Sequence, residues 1–70
     1  MIRGNIKYDR KRHIFLPRYK AHLFGRWEYT DKTWACDGGE FRFGYDSYKE
    51  AKERLIEVLE RRDVKFSFIK

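Results

Sequence analysis

The residues of this chain that could do chemistry lie near its start, in the run Asp9-Arg10-Lys11-Arg12-His13-Ile14-Phe15-Leu16-Pro17-Arg18-Tyr19-Lys20. Cations are interleaved there with aromatic rings. Lysine and arginine neutralise phosphates, and flat rings stack on bases, so the mixture suits DNA or RNA, single strands included. The candidate contacts are Lys7, Arg10, Lys11, Arg12, His13, Arg18, Tyr19, Lys20 and Arg26, with Arg42 further along. Tyr8, Phe15, Tyr19 and Trp27 are the rings available for stacking or wedging. Phe15 and Trp27 are read first as core side chains, whereas Tyr8 and Tyr19 fit either role.

Other chemistry finds little support. His13, His22, Cys36 and Asp37 are the plausible metal ligands, and their spacings match no zinc pattern. Cys36 falls on a strand face shared with aromatic residues, where a thiol behaves as a small hydrophobe rather than a nucleophile. His13 beside Lys11 and Arg12 could act as a general acid or base, but one histidine in a basic run serves as readily as a phosphate-adjacent donor. Gly38-Gly39 lacks the following Lys-Ser/Thr of a phosphate loop and sits in a hairpin turn. The expectation is therefore a protein that is not an enzyme and needs no cofactor or metal.

The charge is distributed unevenly. The net charge is +6, yet residues 1–26 hold eight Lys or Arg against Asp9 alone, while residues 27–70 hold nine against ten Asp or Glu. The basic excess belongs wholly to the first third, which implies a partner of opposite charge. Seventy residues make one domain, with 1–21 as a basic N-terminal hairpin or arm and 22–70 as a sheet-helix-strand core. Thirteen aromatic residues offer the buried area that so short a chain needs. A single cysteine excludes an intrachain disulfide and fits a reducing compartment. No stretch has the composition of a signal peptide or membrane span, so a cytoplasmic protein with no membrane partner is expected.

The elements that must position these residues follow from periodicity. Ser47 and Glu50 have capping-box spacing, and Tyr48, Ala51, Leu55, Val58, Leu59 and Arg62 recur on one helical face, predicting a helix over 48–62. Val64, Phe66 and Phe68 alternate with polar or smaller neighbours and predict a final strand over 64–69. Asp37-Gly38-Gly39 marks a hairpin turn between Thr33–Cys36 and Glu40–Tyr45. With His22–Tyr29 before it, residues 22–45 are expected to form a three-stranded meander. Trp27, Tyr29, Trp34, Cys36, Phe41, Phe43 and Tyr45 would then face the helix. Upstream, Ile6 and Tyr8 with His13–Leu16 read either as two strands around the turn 9–12 or as an arm that orders on its partner. Pro17 is expected to end the second strand or confine it to an edge. The fold class is α+β, a small antiparallel sheet of meander, N-terminal and C-terminal strands packed on one helix.

Gly25-Arg26-Trp27, a glycine hairpin, and Phe43-Gly44-Tyr45-Asp46-Ser47-Tyr48-Lys49-Glu50-Ala51 together resemble the three-stranded-sheet-plus-helix DNA-binding domain of plant ethylene-response factors. The same stretch, about residues 22–62, is similar to the arm-type DNA-binding domain of phage-type integrases. In those families the sheet face away from the helix enters the major groove, so the resemblance implies Arg26, Glu28, Thr30, Thr33 and Arg42 as readers. Two features depart from it. That face carries Glu28, Asp37 and Glu40 beside two arginines, and a strand after the helix would make the fold a ββ-βαβ variant.

Two functions of different class fit these observations. One is a small basic nucleic-acid-binding protein, of the kind encoded by phages or mobile elements, that contacts phosphates through its N-terminal third. The other is a phage-type inhibitor or adaptor whose same basic surface docks on the acidic face of a host nucleic-acid enzyme or defence protein. The chain would act as a monomer or homodimer, and self-association through an edge strand at 64–69 is a third expectation.

Overall fold

The computed structural model describes residues 2–22 and 24–69. The elements in chain order are β1 (Ile2–Asp9), β2 (Ile14–Lys20), β3 (Glu28–Tyr29), β4 (Lys32–Trp34), β5 (Glu40–Arg42), α1 (Tyr48–Arg61) and β6 (Phe66–Phe68). The fold is α+β, as the sequence predicts: one helix packs against a mixed four-stranded sheet, with a separate two-stranded hairpin. The sheet order is β3-β2-β1-β6, and β4 pairs only with β5. Among the described residues no helix is long and apolar enough to cross a membrane.

The N-terminal segment is a hairpin, not an arm. β1 and β2 pair antiparallel over seven residue pairs, from Arg3 opposite Lys20 to Asp9 opposite Ile14. Asp9 builds the turn. Its Oδ1 accepts from the backbone N–H groups of Lys11 and Arg12, at 3.0 and 3.3 Å, and its Oδ2 accepts from Arg12 Nε at 3.0 Å. His13 closes the turn in the left-handed region, at φ 55°.

The helix starts where the capping signal places it. Ser47 Oγ accepts from the Glu50 N–H at 3.1 Å, and the helix runs to Arg61. Its buried residues, Ala51, Leu55 and Leu59, lie at i, i+4 and i+8, the stripe that an amphipathic helix turns to a core. Gly4 of β1 receives that stripe. A Cβ there would stand 2.9 Å from Leu55 Cδ2 and 3.5 Å from Leu59 Cδ1, so glycine lets helix and sheet approach closely. Phe15 meets Tyr48 edge-on at 6.1 Å, and Tyr48 meets Phe68 likewise at 6.3 Å. The C-terminal strand joins the sheet as an edge, parallel to β1, with Phe66 opposite Ile2 and Phe68 opposite Gly4. The sheet is therefore mixed rather than wholly antiparallel as expected, because the chain returns from the helix to run beside β1 in the same direction, and the strand before the helix, β5, stays outside it.

The meander expected over 22–45 does not form as one sheet. β3 is two residues long and pairs with β2, placing Tyr29 opposite Arg18, while β4 and β5 form their own hairpin around the glycine turn. Leu23, within the first strand expected there, lies outside the described residues. The aromatic face expected beneath the helix is largely open: Trp34 is 77% exposed, and Phe41, Phe43 and Cys36 are also exposed. Tyr29 alone of that set is buried, with Trp27 and Tyr45 half-buried. The physical reason is the competition for the helix. The long, fully paired β1–β2 ladder presents Gly4 and Pro17 to α1, and the three-pair β4–β5 hairpin is left beside it.

Pro17 also departs from expectation. It lies inside β2, between β1 and β3, with its side chain fully buried. Its carbonyl accepts from the Thr30 N–H at 3.1 Å, so its missing N–H faces the β3 side. On that side β3 pairs with Arg18 and Tyr19, and the next contact is the two-way bridge between Phe15 and Tyr45. Pro17 falls in the gap between them, where no ladder donor is needed.

Candidate nucleic-acid interface

Strand alternation divides the basic residues between two faces. Gly4, Phe15 and Tyr19 lie on the helix side, fixed by Leu55 against Gly4, by the Phe15–Tyr48 ring contact, and by the Arg62 guanidinium 5.1 Å from the Tyr19 ring centre. The β1–β2 register then puts Arg3, Asn5 and Lys7 of β1, with Arg18 and Lys20 of β2, on the face away from the helix. Side chain contacts agree. Arg18 Nε donates to Asn5 Oδ1 at 2.6 Å, across the ladder. The Arg18 guanidinium lies 4.2 Å and the Lys20 ammonium 4.7 Å from the Trp27 ring centre. These cation–π contacts hold two positive charges against one aromatic plane just ahead of β3.

This face therefore carries Lys7, Arg18 and Lys20 of the candidate residues, the last two against Trp27, and adds Arg3. Arg3 was missed from the sequence. The signal that finds it is the antiparallel register, which sets Arg3 directly opposite Lys20. Arg3 and Lys7 are exposed and make no ion pair among the described residues. Asp9 is the one acid that β1 contributes to this side, and its carboxyl is held below the usual range, first by the hydrogen bond from the Arg12 side chain and then by the backbone donors of the turn.

Arg10, Lys11, Arg12 and His13 form the tip of the same hairpin. Arg10 and Lys11 are exposed with no ion pair among the described residues, whereas Arg12 is engaged with Asp9 and lies 5.0 Å from the Phe41 ring centre. His13 Nδ1 is 3.0 Å from the Tyr8 hydroxyl. Arg26 is exposed just before β3.

Two candidate residues are engaged by other groups. Tyr19 lies on the helix side under Arg62, because alternation sends it opposite to Arg18 and Lys20. Arg42 lies over the buried Tyr29 ring, 4.1 Å from its centre, and pairs with Glu40 at 2.9 Å. Glu40 also faces Lys32 at 3.8 Å, and Lys32 pairs with Glu28 at 2.9 Å. Arg42 thus belongs to a charge-compensated network on the hairpin. The readers that the family resemblance implies are split in the same way, with Glu28 in the four-stranded sheet and Thr33 and Arg42 in the separate hairpin.

A second polar cluster holds the hairpin to the helix. Arg54 donates to both oxygens of Asp31, at 3.0 and 3.2 Å, and Tyr45 and Thr30 hydroxyls donate to Oδ2 at 2.9 and 2.8 Å. Burial pushes the Asp31 carboxyl up, but Arg54, Thr30 and Tyr45 together outweigh it and leave the group below its ordinary value. Burial and the neighbouring carboxylate push the Tyr45 hydroxyl up. These groups are saturated by one another and build the scaffold. Among the described residues no cluster of three or more His, Cys, Asp or Glu side chains could hold a metal ion.

No protein-family model, curated protein or solved structure matches this chain.

Proposed function

We propose that this protein binds nucleic acid, DNA or RNA, with the sheet face away from the helix and the tip of the β1–β2 hairpin. The observation that carries this is the register that sets Arg3, Lys7, Arg18 and Lys20 on one side of two adjacent strands, with Trp27 against Arg18 and Lys20. Successive face residues on one strand are about 6.7 Å apart, so the four cations form a compact patch rather than a scattered surface charge. Strand alternation sends Gly4, Phe15 and Tyr19 to the helix side and their cationic neighbours to the other, where Arg3 and Lys7 are exposed and Arg18 and Lys20 are half-buried against Trp27. Arg10 and Lys11 extend the positive surface at the tip. Polyanion binding of this kind gains its free energy from counterion release.

The test is binding of purified protein to DNA and RNA at about 50 mM salt, followed by a salt titration. Four neutralised phosphates predict a slope of log K against log salt of about −2.8 on a single strand and about −3.6 on a duplex. No binding to either polymer at that salt, with a host protein retained from nuclease-treated lysate, would replace this function with the docking of the same face on an acidic protein surface.

A further inference from the structure

We infer that the polymer this face takes is single-stranded, with a base stacked on Phe24. The inference rests on the nucleic-acid function proposed above and narrows it. Its first support is the width of the sheet. A duplex major groove about 12 Å wide admits a helix or a two-stranded ribbon. The basic ribbon is not free to enter one at its most charged end. There β6 flanks β1 along Ile2–Gly4 and β3 flanks β2 along Arg18–Tyr19, so Arg3, Arg18 and Lys20 sit in the middle of a four-stranded sheet. Neighbouring strands are about 4.8 Å apart, which puts the outer two about 14 Å from each other before side chains are added. A single strand can lie across such a surface and bring its phosphates to cations spaced along it.

The second support is Phe24. Its ring is 96% exposed, the most open large apolar side chain among the described residues. It belongs to the loop that leaves β2 after Lys20 and returns at Trp27, two residues of the basic face. A hydrogen bond from the Gly25 N–H to the His22 carbonyl, at 3.0 Å, closes a turn with Phe24 at its crest. A Cβ on Gly25 would come within 3.2 Å of that same carbonyl oxygen, so the glycine keeps the turn tight. Trp27 itself is half-buried and already covered by Arg18 and Lys20. Phe24 is the fully open ring in the loop that joins Lys20 to Trp27. Stacking on an aromatic side chain tolerates any base, which suits recognition without groove readout.

The experiment uses a Trp34→Phe protein, in which Trp27 is the only fluorophore of its kind. Trp34 is 77% exposed, so its replacement leaves the fold intact. Short oligonucleotides of one sequence, single-stranded and as a duplex, are titrated at about 50 mM salt while Trp27 emission is followed. The single strand is expected to bind at least about tenfold more tightly, and Phe24→Ala to lose about tenfold on the single strand and little on the duplex. Equal or tighter binding of the duplex would overturn the single-strand inference and leave nucleic-acid binding standing. An unchanged single-strand affinity for Phe24→Ala would overturn the stacking role. Absence of binding to both forms would overturn the parent proposal itself.

Discussion

The guanidinium of Arg18 lies 4.2 Å from the centre of the Trp27 ring. Because the same side chain donates to Asn5 at 2.6 Å, one arginine ties β1, β2 and the entry to β3 together on the face away from the helix. Arg18→Ala is expected to uncover Trp27 and shift its emission to the red, while costing about 1 kcal/mol of stability for the lost contact and hydrogen bond. Emission spectra and urea midpoints of the Trp34→Phe protein, with and without the substitution, check both effects. An unchanged emission maximum would mean that Arg18 does not cover the ring in solution.

Asp31→Asn should destabilise the protein by about 1–2 kcal/mol at neutral pH, because the acceptor of Arg54, Tyr45 and Thr30 loses its charge. The sign with pH follows from the lowered pKa of Asp31. Its stabilising contribution is complete above the ordinary carboxylate value, about 3.9, and is lost as pH falls through the lower folded value. The gap between wild type and Asp31→Asn in urea midpoint should therefore narrow below about pH 4. A gap that persists undiminished in acid would show that the carboxylate charge is not what holds the hairpin to the helix.

Leu55→Ala should cost about 2–5 kcal/mol, a large share of what a domain of this size possesses. Trp34→Ala, by contrast, should stay within about 0.5 kcal/mol of wild type, because its ring is mostly in solvent. Thermal unfolding of the two variants checks the contrast. A Trp34 variant as damaged as the Leu55 variant would place the core under the β4–β5 hairpin instead.

Gly4→Ala should cost about 1–3 kcal/mol, since its Cβ would press on Leu55 Cδ2 at 2.9 Å in a filled helix–sheet contact. Denaturant unfolding measures it. A neutral result would show that Leu55 can swing aside, and that the close approach at Gly4 is not required.

The local signals in the sequence were direct: a serine cap, a helical stripe, a glycine turn and a final alternating strand each produced the element they mark. Pairing was not legible in the same way. Trp34, Phe41 and Phe43 have the alternation of a core strand, yet a three-pair hairpin cannot compete with the seven-pair β1–β2 ladder for the single helix. Pro17 reads as a strand end or an edge position, because the gap in its neighbour strand is a tertiary feature that no local pattern encodes. The basic character of the N-terminal third was plain, with Lys7, Arg18 and Lys20 among its cations. Their separation from Tyr19, and the addition of Arg3, depended on the antiparallel register. The nearness of Glu40 to Arg42, two residues apart on one strand face, was legible, whereas the seat of Arg42 over Tyr29 was not, because that contact forms only through folding.

The central claim is that the sheet face away from the helix, rather than overall charge, binds nucleic acid. The most direct measurement compares Arg3→Glu/Lys7→Glu with Lys49→Glu/Lys52→Glu on the helix, both of which lower the net charge of +6 by four. Affinity for a nucleic-acid oligomer is measured at about 50 mM salt, with circular dichroism confirming both folds. The expected result is loss of binding for the sheet-face pair and near-wild-type affinity for the helix pair. Equal affinities for the two variants would contradict the claim and leave the positive charge of this protein without a defined face.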